Sequence, residues 1–224
     1  MNPGPFATVP GAPGPVATVR TVQLPAGLDV RAVVLVEGLS DQSAIETLAR
    51  RRGRSLTAER IAVIAIGGAS NIGRSLGRFG PPGLDLEIAG LYDEAEVGYF
   101  RRGLERAGLL PRYLESRAEL ELSAVSRAEM EALGFYRCVT DLEDELIRAL
   151  SVDTVVQIIE AEGDLGPFRT LQQQPAHQDR SPEQQLHRFL GTRSGRKIRY
   201  GRLLVEALDL DRVPRPLDGA LAHV

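Results

Sequence analysis

The chain has 224 residues, 43% of them apolar, and a formal net charge of −3 at pH 7. This size and composition suit one globular domain with a real core, and the slight negative charge excludes a protein that binds nucleic acid through its overall electrostatic field. The single cysteine, and the lack of an apolar stretch that could cross a bilayer or form a secretory signal, predict a cytoplasmic protein without disulfides or membrane attachment.

The first half of the chain alternates between short apolar runs and helix-like segments. Residues 1–29 are rich in Pro, Gly, Ala, Thr and Val and predict a flexible N-terminal segment. Three apolar runs follow, at Ala32–Val36, Ile61–Ile66 and Leu86–Leu91. Continuous runs of this length are typical of strands buried on both faces of a parallel sheet, and their alternation with helices predicts such a sheet.

The second half is predicted to be mainly helical. A fourth short strand is expected at Gly134–Val139, a polar loop at Gln172–Arg180, and the last long helix at Lys197–Leu208. The fold class is therefore α/β, a parallel sheet of about four strands flanked by helices with a helical C-terminal extension. The predicted divisions are a flexible segment at 1–29, the sheet-containing core at 30–150, and a helical C-terminal part at 151–224.

Acidic residues follow the predicted strands at three separate points. Glu37 comes directly after the first strand, with Asp41 four residues on, while Asp93 follows the third strand and Glu143 the fourth. Parallel strands lie about 4.8 Å apart and end at one edge, so acids from neighbouring strands can share a cation. Each acid alone is more typical of a solvated helix start, but the three points together predict a site for a hard divalent metal.

Lys197 is the only lysine among 27 basic residues. Lysine offers a compact point charge that arginine does not match, which favours a specific role, whereas composition alone favours a surface helix lysine beside Arg196 and Arg199. Arg196 and Arg199, with Arg193 and Arg202, could form a basic strip that holds a nucleic-acid backbone. A solvated helix face is the alternative interpretation of the same residues.

Five other polar residues receive a structural interpretation. Ser40 and Thr140 are predicted to cap the helices that follow the first and fourth strands. Asn71 either caps a helix or orients the loop before it, and the cap is favoured. His177 and His187 have no partner at zinc-ligand spacing and are interpreted as surface residues.

The ordered motifs in this chain resemble a known family. Val36-Glu37-Gly38 after a buried strand, followed by Asp41, resembles the TOPRIM domain shared by topoisomerases, bacterial primases and the OLD-family (overcoming lysogenization defect) nucleases. The OLD-family branch is the closer match. Its later motifs are a G-x-x-N turn, an L-E pair after a strand, and a lysine near a final helix, and they stand here in the same order at Gly68–Asn71, Leu142-Glu143 and Lys197. The fold implied is TOPRIM-like, and therefore Rossmann-like.

Two departures from the family pattern bear on function. The usual Asp-x-Asp has Ala95 at its second acidic position, so either Glu94 or Glu96 takes that role or metal binding is weakened. OLD-family nucleases also carry an ATPase domain, but this sequence has no G-x-x-x-x-G-K-S/T phosphate loop. The expectation is a stand-alone TOPRIM module, with a separate ATPase partner left open.

The resemblance implies hydrolysis of nucleic-acid phosphodiester bonds with Mg²⁺ or Mn²⁺, through a two-metal mechanism. It implies a principal metal site of Glu37, Asp41 and Asp93, with Glu96 as a further ligand and Glu143 at a second site or as a bridge. Glu37 and Lys197 would be catalytic, and the lysine would stabilise charge on the phosphate. DNA is favoured over RNA, and a homodimer is left open.

Two other functions stay open at this point. One is a non-catalytic TOPRIM module that binds protein or nucleic acid, which the departure at Ala95 would allow. The other is a flavodoxin-like domain that binds a phosphate-containing ligand.

Overall fold

The computed structural model of the chain describes residues 29–110, 126–192 and 194–224. Within them, four parallel strands form one sheet in the order β2-β1-β3-β4. The strands are β1 at Ala32–Val36, β2 at Ile61–Ala65, β3 at Glu87–Asp93 and β4 at Phe135–Cys138. The predicted α/β class, with about four parallel strands flanked by helices, is confirmed.

Strand β1 lies at the centre of the sheet, and each of its five residues is fully buried. Val34 and Val36 point into one apolar cluster and Val33 and Leu35 into the other, because successive side chains of a strand face opposite sides. This explains why the run lacks polar residues. The parallel register brings the ends of β1, β2 and β3 to one edge of the sheet.

Helices cover both faces of the sheet. The side chains of α2 (Ile72–Phe79) and α3 (Val97–Arg106) belong to the cluster around Leu35, and those of α1 (Leu39–Arg51) belong to the cluster around Val34. Helix α4 follows at Arg127–Ala132 and lies before β4 in the chain. This arrangement leaves the carboxyl ends of the strands at the edge where α1 and α3 begin.

The C-terminal part of the chain adds helices to the α1 side of the sheet. Buried side chains from these helices, among them Ile159, Phe189 and Leu204, join the same cluster as Val34. The helical C-terminal extension is therefore confirmed, and among the described residues no helix is both long and apolar enough to cross a bilayer. The helices are α5 Leu142–Leu150, α6 Val152–Ala161, α7 Leu165–Gln172, α8 Pro175–Gln178, α9 Pro182–Leu190, α10 Ser194–Ala207 and α11 Arg215–Ala222.

The predicted polar loop at Gln172–Arg180 is wrong in part, because it contains the short helix α8. His177 within it is buried, so its interpretation as a surface residue is also wrong. The side-chain amide of Gln185 donates to the His177 carbonyl at 2.8 Å, and the Gln172 amide donates to the Gln185 side chain at 2.8 Å. These hydrogen bonds satisfy the His177 carbonyl and the Gln185 side chain in a segment that its composition alone would place in water, while Nδ1 of His177 is buried without a partner among the described residues.

The predictions for the N-terminal segment, for Arg193 and for the boundary at residue 150 are not tested by the described residues. Residues 1–28 lie outside the described residues, as does Arg193. The boundary at residue 150 stays a prediction, since α6 and the helices after it pack into the same apolar cluster as α1.

Candidate metal centre

Three carboxylates meet at the carboxyl edge of the sheet. Glu37 follows β1, Asp93 is the last residue of β3, and Glu96 ends a short 3₁₀ turn after β3. One oxygen from each of the three lies within 4.8 Å of the others. Strand pairing explains the meeting of Glu37 and Asp93, because β1 and β3 are neighbours in the sheet.

The 3₁₀ turn Glu94–Glu96 determines which glutamate takes the place of the second acid of the Asp-x-Asp motif, where this chain has Ala95. Residues three apart in such a turn lie on the same side, so Glu96 returns to the side of Asp93. Glu94 instead forms an ion pair with Arg137 of β4. Oε2 of Glu96 is buried and has no hydrogen-bond partner among the described residues. Glu96, rather than Glu94, therefore joins the acidic cluster.

Asp41 lies in the first turn of α1 and faces the same site. The helix begins at Leu39 with Gly38 as its N-cap, so the predicted cap at Ser40 is wrong. The Gly38 backbone N–H donates to Asp41 Oδ2 at 2.9 Å. Burial raises the pKa of Asp41, although this hydrogen bond partly offsets the rise.

Asp141 is a member of the site that the sequence did not reveal. It is the N-cap of α5 in place of the predicted Thr140, and its Oδ1 accepts the Asp144 backbone N–H at 2.9 Å. Its Oδ2 lies 2.6 Å from Nε2 of His187 on α9. Burial opposes ionisation of Asp141, but the hydrogen bonds from His187 and Asp144 outweigh it and hold its pKa below the usual value.

Glu143 and Lys197 form an ion pair beside these acids. Oε2 of Glu143 lies 3.1 Å from Nζ of Lys197, and only 5% of the Glu143 side chain is exposed. Burial raises the pKa of Glu143 to about 7, while the lysine ammonium opposes the rise. Burial would lower the pKa of Lys197, but nearby carboxylates, Glu143 first among them, outweigh burial and raise it.

A cleft of about 250 Å³ connects the acids and the lysine. Its walls come from the loop after β1, the end of β3, the start of α5 and the first half of α10. The residues lining it are Glu37, Gly38, Leu39, Ser40, Asp41, Asp93, Asp141, Glu143, Lys197 and Ile198.

Residues 30–93 match the family model described as the overcoming lysogenization defect protein-like TOPRIM domain. These residues form an OLD-like TOPRIM domain. The chain is similar in fold to the C-terminal region of the Xanthomonas campestris pv. campestris OLD protein, with 23% identity and a TM-score of 0.64 over 87% of this chain and 94% of that chain. The C-terminal region of the Burkholderia pseudomallei OLD protein gives 19% identity and a TM-score of 0.58 over 87% and 97%. No curated protein matches the sequence.

The G-x-x-N turn of this TOPRIM domain holds the backbone of Glu37. The backbone N–H groups of Gly67 and Gly68 donate to the Glu37 carbonyl at 3.0 and 3.3 Å. The Asn71 side-chain amide donates to the carbonyls of Ile66 and Gly67, each at 3.0 Å, and the side chain makes no capping hydrogen bond to α2. Asn71 therefore occupies the predicted N-cap position of α2, but its side chain orders the turn beside the site instead of capping the helix.

The two arginines predicted to bind nucleic acid have protein partners. The Arg196 guanidinium lies 4.0 Å from the centre of the Phe189 ring, and its Nε lies 3.6 Å from Asp164. Arg199 pairs with the same carboxylate, which also accepts a hydrogen bond from the Tyr200 hydroxyl at 3.0 Å. The ion pairs with Asp164, the N-cap of α7, hold α10 against the start of that helix. A role in binding nucleic acid stays a prediction for both residues.

The chemistry of the cluster fits a hard divalent metal. Its donors are all carboxylate oxygens, the type that Mg²⁺ and Mn²⁺ prefer. Burial, and then the charges of neighbouring acids, raise the pKa of Asp93 to about 8. Burial and the carboxylate of Glu96 also raise the pKa of Glu37. A cation would remove this mutual repulsion and would give the buried oxygen of Glu96 a partner.

We expect the metal-free protein to lose stability as the pH rises through neutrality. The pKa values of Asp93, about 8, and Glu143, about 7, lie above their ordinary values of 3.8 and 4.5. The folded state therefore keeps protons that the unfolded state has released, so the free energy of unfolding falls from about pH 4 to about pH 8. In thermal unfolding with EDTA, the Tm should fall between about pH 6 and about pH 8.5, and Asp93→Asn should flatten the slope. An equal slope in this variant would contradict the assignment.

The position of Lys197 depends on a close approach of α10 to α1 at Gly201, one turn farther along α10. A Cβ atom at Gly201 would lie 2.9 Å from the Ser40 carbonyl oxygen. We expect Gly201→Ala to lower the free energy of unfolding by about 1–3 kcal/mol, because backbone has to shift. Gly195→Ala in the same helix meets nothing within 4 Å and should be neutral or stabilising. Equal denaturant midpoints for the two variants would exclude a tight contact at Gly201.

Proposed function

We propose that the chain is a divalent-metal-dependent nuclease that hydrolyses phosphodiester bonds of nucleic acid at the carboxyl edge of its sheet. The observation that supports this most is the meeting of Glu37, Asp93 and Glu96 within 4.8 Å, in a site whose cleft also contains Lys197. Clustered carboxylates beside a single ammonium suit the binding of a metal together with a phosphate.

Glu37, Asp93 and Glu96 would hold the metal, with Asp41 and Asp141 on the adjoining wall of the cleft. Mg²⁺ and Mn²⁺ both suit this oxygen donor set. The chemistry that such a metal supplies is activation of a water and stabilisation of the leaving oxygen. The turn at Gly67 and Gly68 keeps the Glu37 backbone in place, so the backbone at Glu37 needs little movement when a metal binds.

Lys197 would contact the phosphate of the substrate. Its ammonium lies at the wall of the cleft, where 39% of the side chain is exposed, and it is the residue there that carries a fixed positive charge. Its ion pair with Glu143 limits the directions in which the long side chain can point. Glu143 therefore orients Lys197 in the metal-free protein. The predicted role of Glu143 at a second metal position stays a proposal.

Nucleic acid is the expected substrate, with DNA favoured over RNA. A net charge of −3 and an acidic cleft would repel a polyanion, so binding of phosphate at the site depends on the metal and on Lys197. A separate ATPase partner and a homodimer both stay predictions.

The test is a plasmid-nicking assay with Mn²⁺, with Mg²⁺ and with EDTA. We expect nicking with either metal and none with EDTA. Glu96→Gln should reduce the rate by about 100-fold or more, because a charged metal ligand is lost. The matched control is Glu94→Gln, which removes a neighbouring carboxylate that pairs with Arg137 and should leave the rate nearly unchanged. Tight binding of DNA without nicking under either metal would instead support a non-catalytic TOPRIM module.

A further inference from the structure

The contact between His187 and Asp141 joins two helices at the edge of the metal centre. Nε2 of His187 lies 2.6 Å from Oδ2 of Asp141, a short distance for a hydrogen bond. Because a carboxylate only accepts hydrogen bonds, Nε2 carries the hydrogen and donates it. The predicted interpretation of His187 as an ordinary surface residue misses this contact.

Helix α9 fixes the position of His187. Its first turn is closed by a capping box, in which the Ser181 and Gln184 side chains exchange hydrogen bonds with backbone N–H groups. Leu186, Phe189 and Leu190 on the same helix are buried in the main apolar cluster. A well-anchored helix therefore brings the imidazole to the start of α5, where Asp141 is the N-cap.

Asp141 is restrained through both of its carboxylate oxygens. Oδ1 accepts the Asp144 backbone N–H and Oδ2 accepts the His187 donor, and each oxygen keeps a further lone pair. The same carboxylate lines the cleft together with Glu37 and Asp93, and its charge is among the causes that raise the pKa of both, so the three repel one another when they are ionised. Without the restraint from His187, repulsion would favour a rotation of Asp141 away from the cleft.

We propose that His187 is a positioning residue of the metal centre, which holds the Asp141 carboxylate with an oxygen directed toward the metal site. The proposal rests on the metal-binding role given above to the acidic cluster. His187 contacts neither metal nor substrate in this role. Its hydrogen bond to Asp141, rather than the bulk of its ring, holds the carboxylate in position.

The test compares two substitutions of His187 by calorimetric titration with Mn²⁺ in the absence of nucleic acid. His187→Leu removes the donor, and we expect it to weaken Mn²⁺ binding by about 10- to 100-fold, the range for groups that orient metal ligands. His187→Gln keeps an N–H donor at nearly the same reach and should stay within about 3-fold of the wild type. Arg188→Leu, an exposed position one residue along α9, is the control and should bind Mn²⁺ as the wild type does.

Each outcome separates this proposal from the proposed function. Wild-type protein that takes up no Mn²⁺ would overturn the metal site and this proposal with it. Wild-type binding with an equal affinity in His187→Leu would overturn this proposal alone. Equal weakening in the Leu and Gln variants would also overturn it, because ring packing would then be the cause. A crystal structure of His187→Leu should show the Asp141 carboxylate rotated, and an unmoved carboxylate would contradict the proposal.

Discussion

Replacing Glu37 with glutamine should abolish metal-dependent cleavage, with a loss on the order of 10²–10³-fold or more in kcat. Glutamine keeps the shape of the side chain but lacks the charge that a hard cation needs. Glu37 contributes one of the three clustered carboxylate oxygens, and its backbone is fixed by the turn at Gly67 and Gly68. The loss should therefore arise from the missing charge rather than from a displaced loop. The measurement is the rate of plasmid nicking with saturating Mn²⁺.

The same substitution should make the metal-free protein more stable. The charge of Glu37 is among the causes that raise the pKa of Asp93 to about 8, so its removal relieves repulsion within the folded state. An increase in Tm together with a loss of activity is the signature of a functional carboxylate held in an unfavourable position. Glu46→Gln, at an exposed position of α1, is the matched control and should change neither quantity. A Glu37 variant that keeps cleaving would exclude this site as the catalytic centre.

Replacing Lys197 with methionine should lower kcat by about 10²–10³-fold while Mn²⁺ affinity stays the same or increases. Methionine keeps most of the apolar stem but has no ammonium to stabilise charge on a phosphate. Because the lost charge has the same sign as the metal, its removal takes away a direct repulsion between the lysine and the bound cation. Single-turnover cleavage and calorimetric titration with Mn²⁺ together measure the two effects.

Two companion variants strengthen the Lys197 experiment. Arg202→Met removes an exposed charge on the same helix that pairs with Glu206, and it should leave cleavage unchanged. Lys197→Arg keeps the charge but changes its shape, so we expect intermediate activity. A methionine variant with reduced Mn²⁺ affinity and unchanged kcat would show that Lys197 supports the fold of the site rather than acting on phosphate.

The sheet and part of the site follow from short-range sequence patterns. A strand buried on both faces has to be continuously apolar, so β1 is visible in the sequence, and an acid directly after it stands at the sheet edge by necessity. Glu37 and Asp93 could be predicted for this reason. The choice between Glu94 and Glu96 could not, because it depends on a single 3₁₀ turn that rotates one side chain back toward Asp93.

Other members of the site depend on packing between distant helices. An N-cap aspartate and a histidine in a polar helix have the same sequence signature whether they meet or face water, so the Asp141–His187 contact emerges only when α9 packs on α5. Arg196 and Arg199 have contacts that the sequence could not show either, and their role in binding nucleic acid stays a prediction. Their charges predict a nucleic-acid surface, and their ion pairs with Asp164 could not be predicted because Asp164 lies about 30 residues earlier in the chain, at the start of another helix.

The placement of Lys197 on α10 has a consequence for how the site forms during folding. The segment that matches the TOPRIM family model, residues 30–93, supplies Glu37, Asp41 and Asp93 but not the lysine. A nascent chain that has formed the sheet alone would hold mutually repelling acids and no ammonium. The proposed site is complete only after α10 has packed against α1, a contact between residues far apart in sequence, and such contacts are slow to form. Cleavage activity would then report the completed fold more strictly than any spectroscopic measure of helix or strand content.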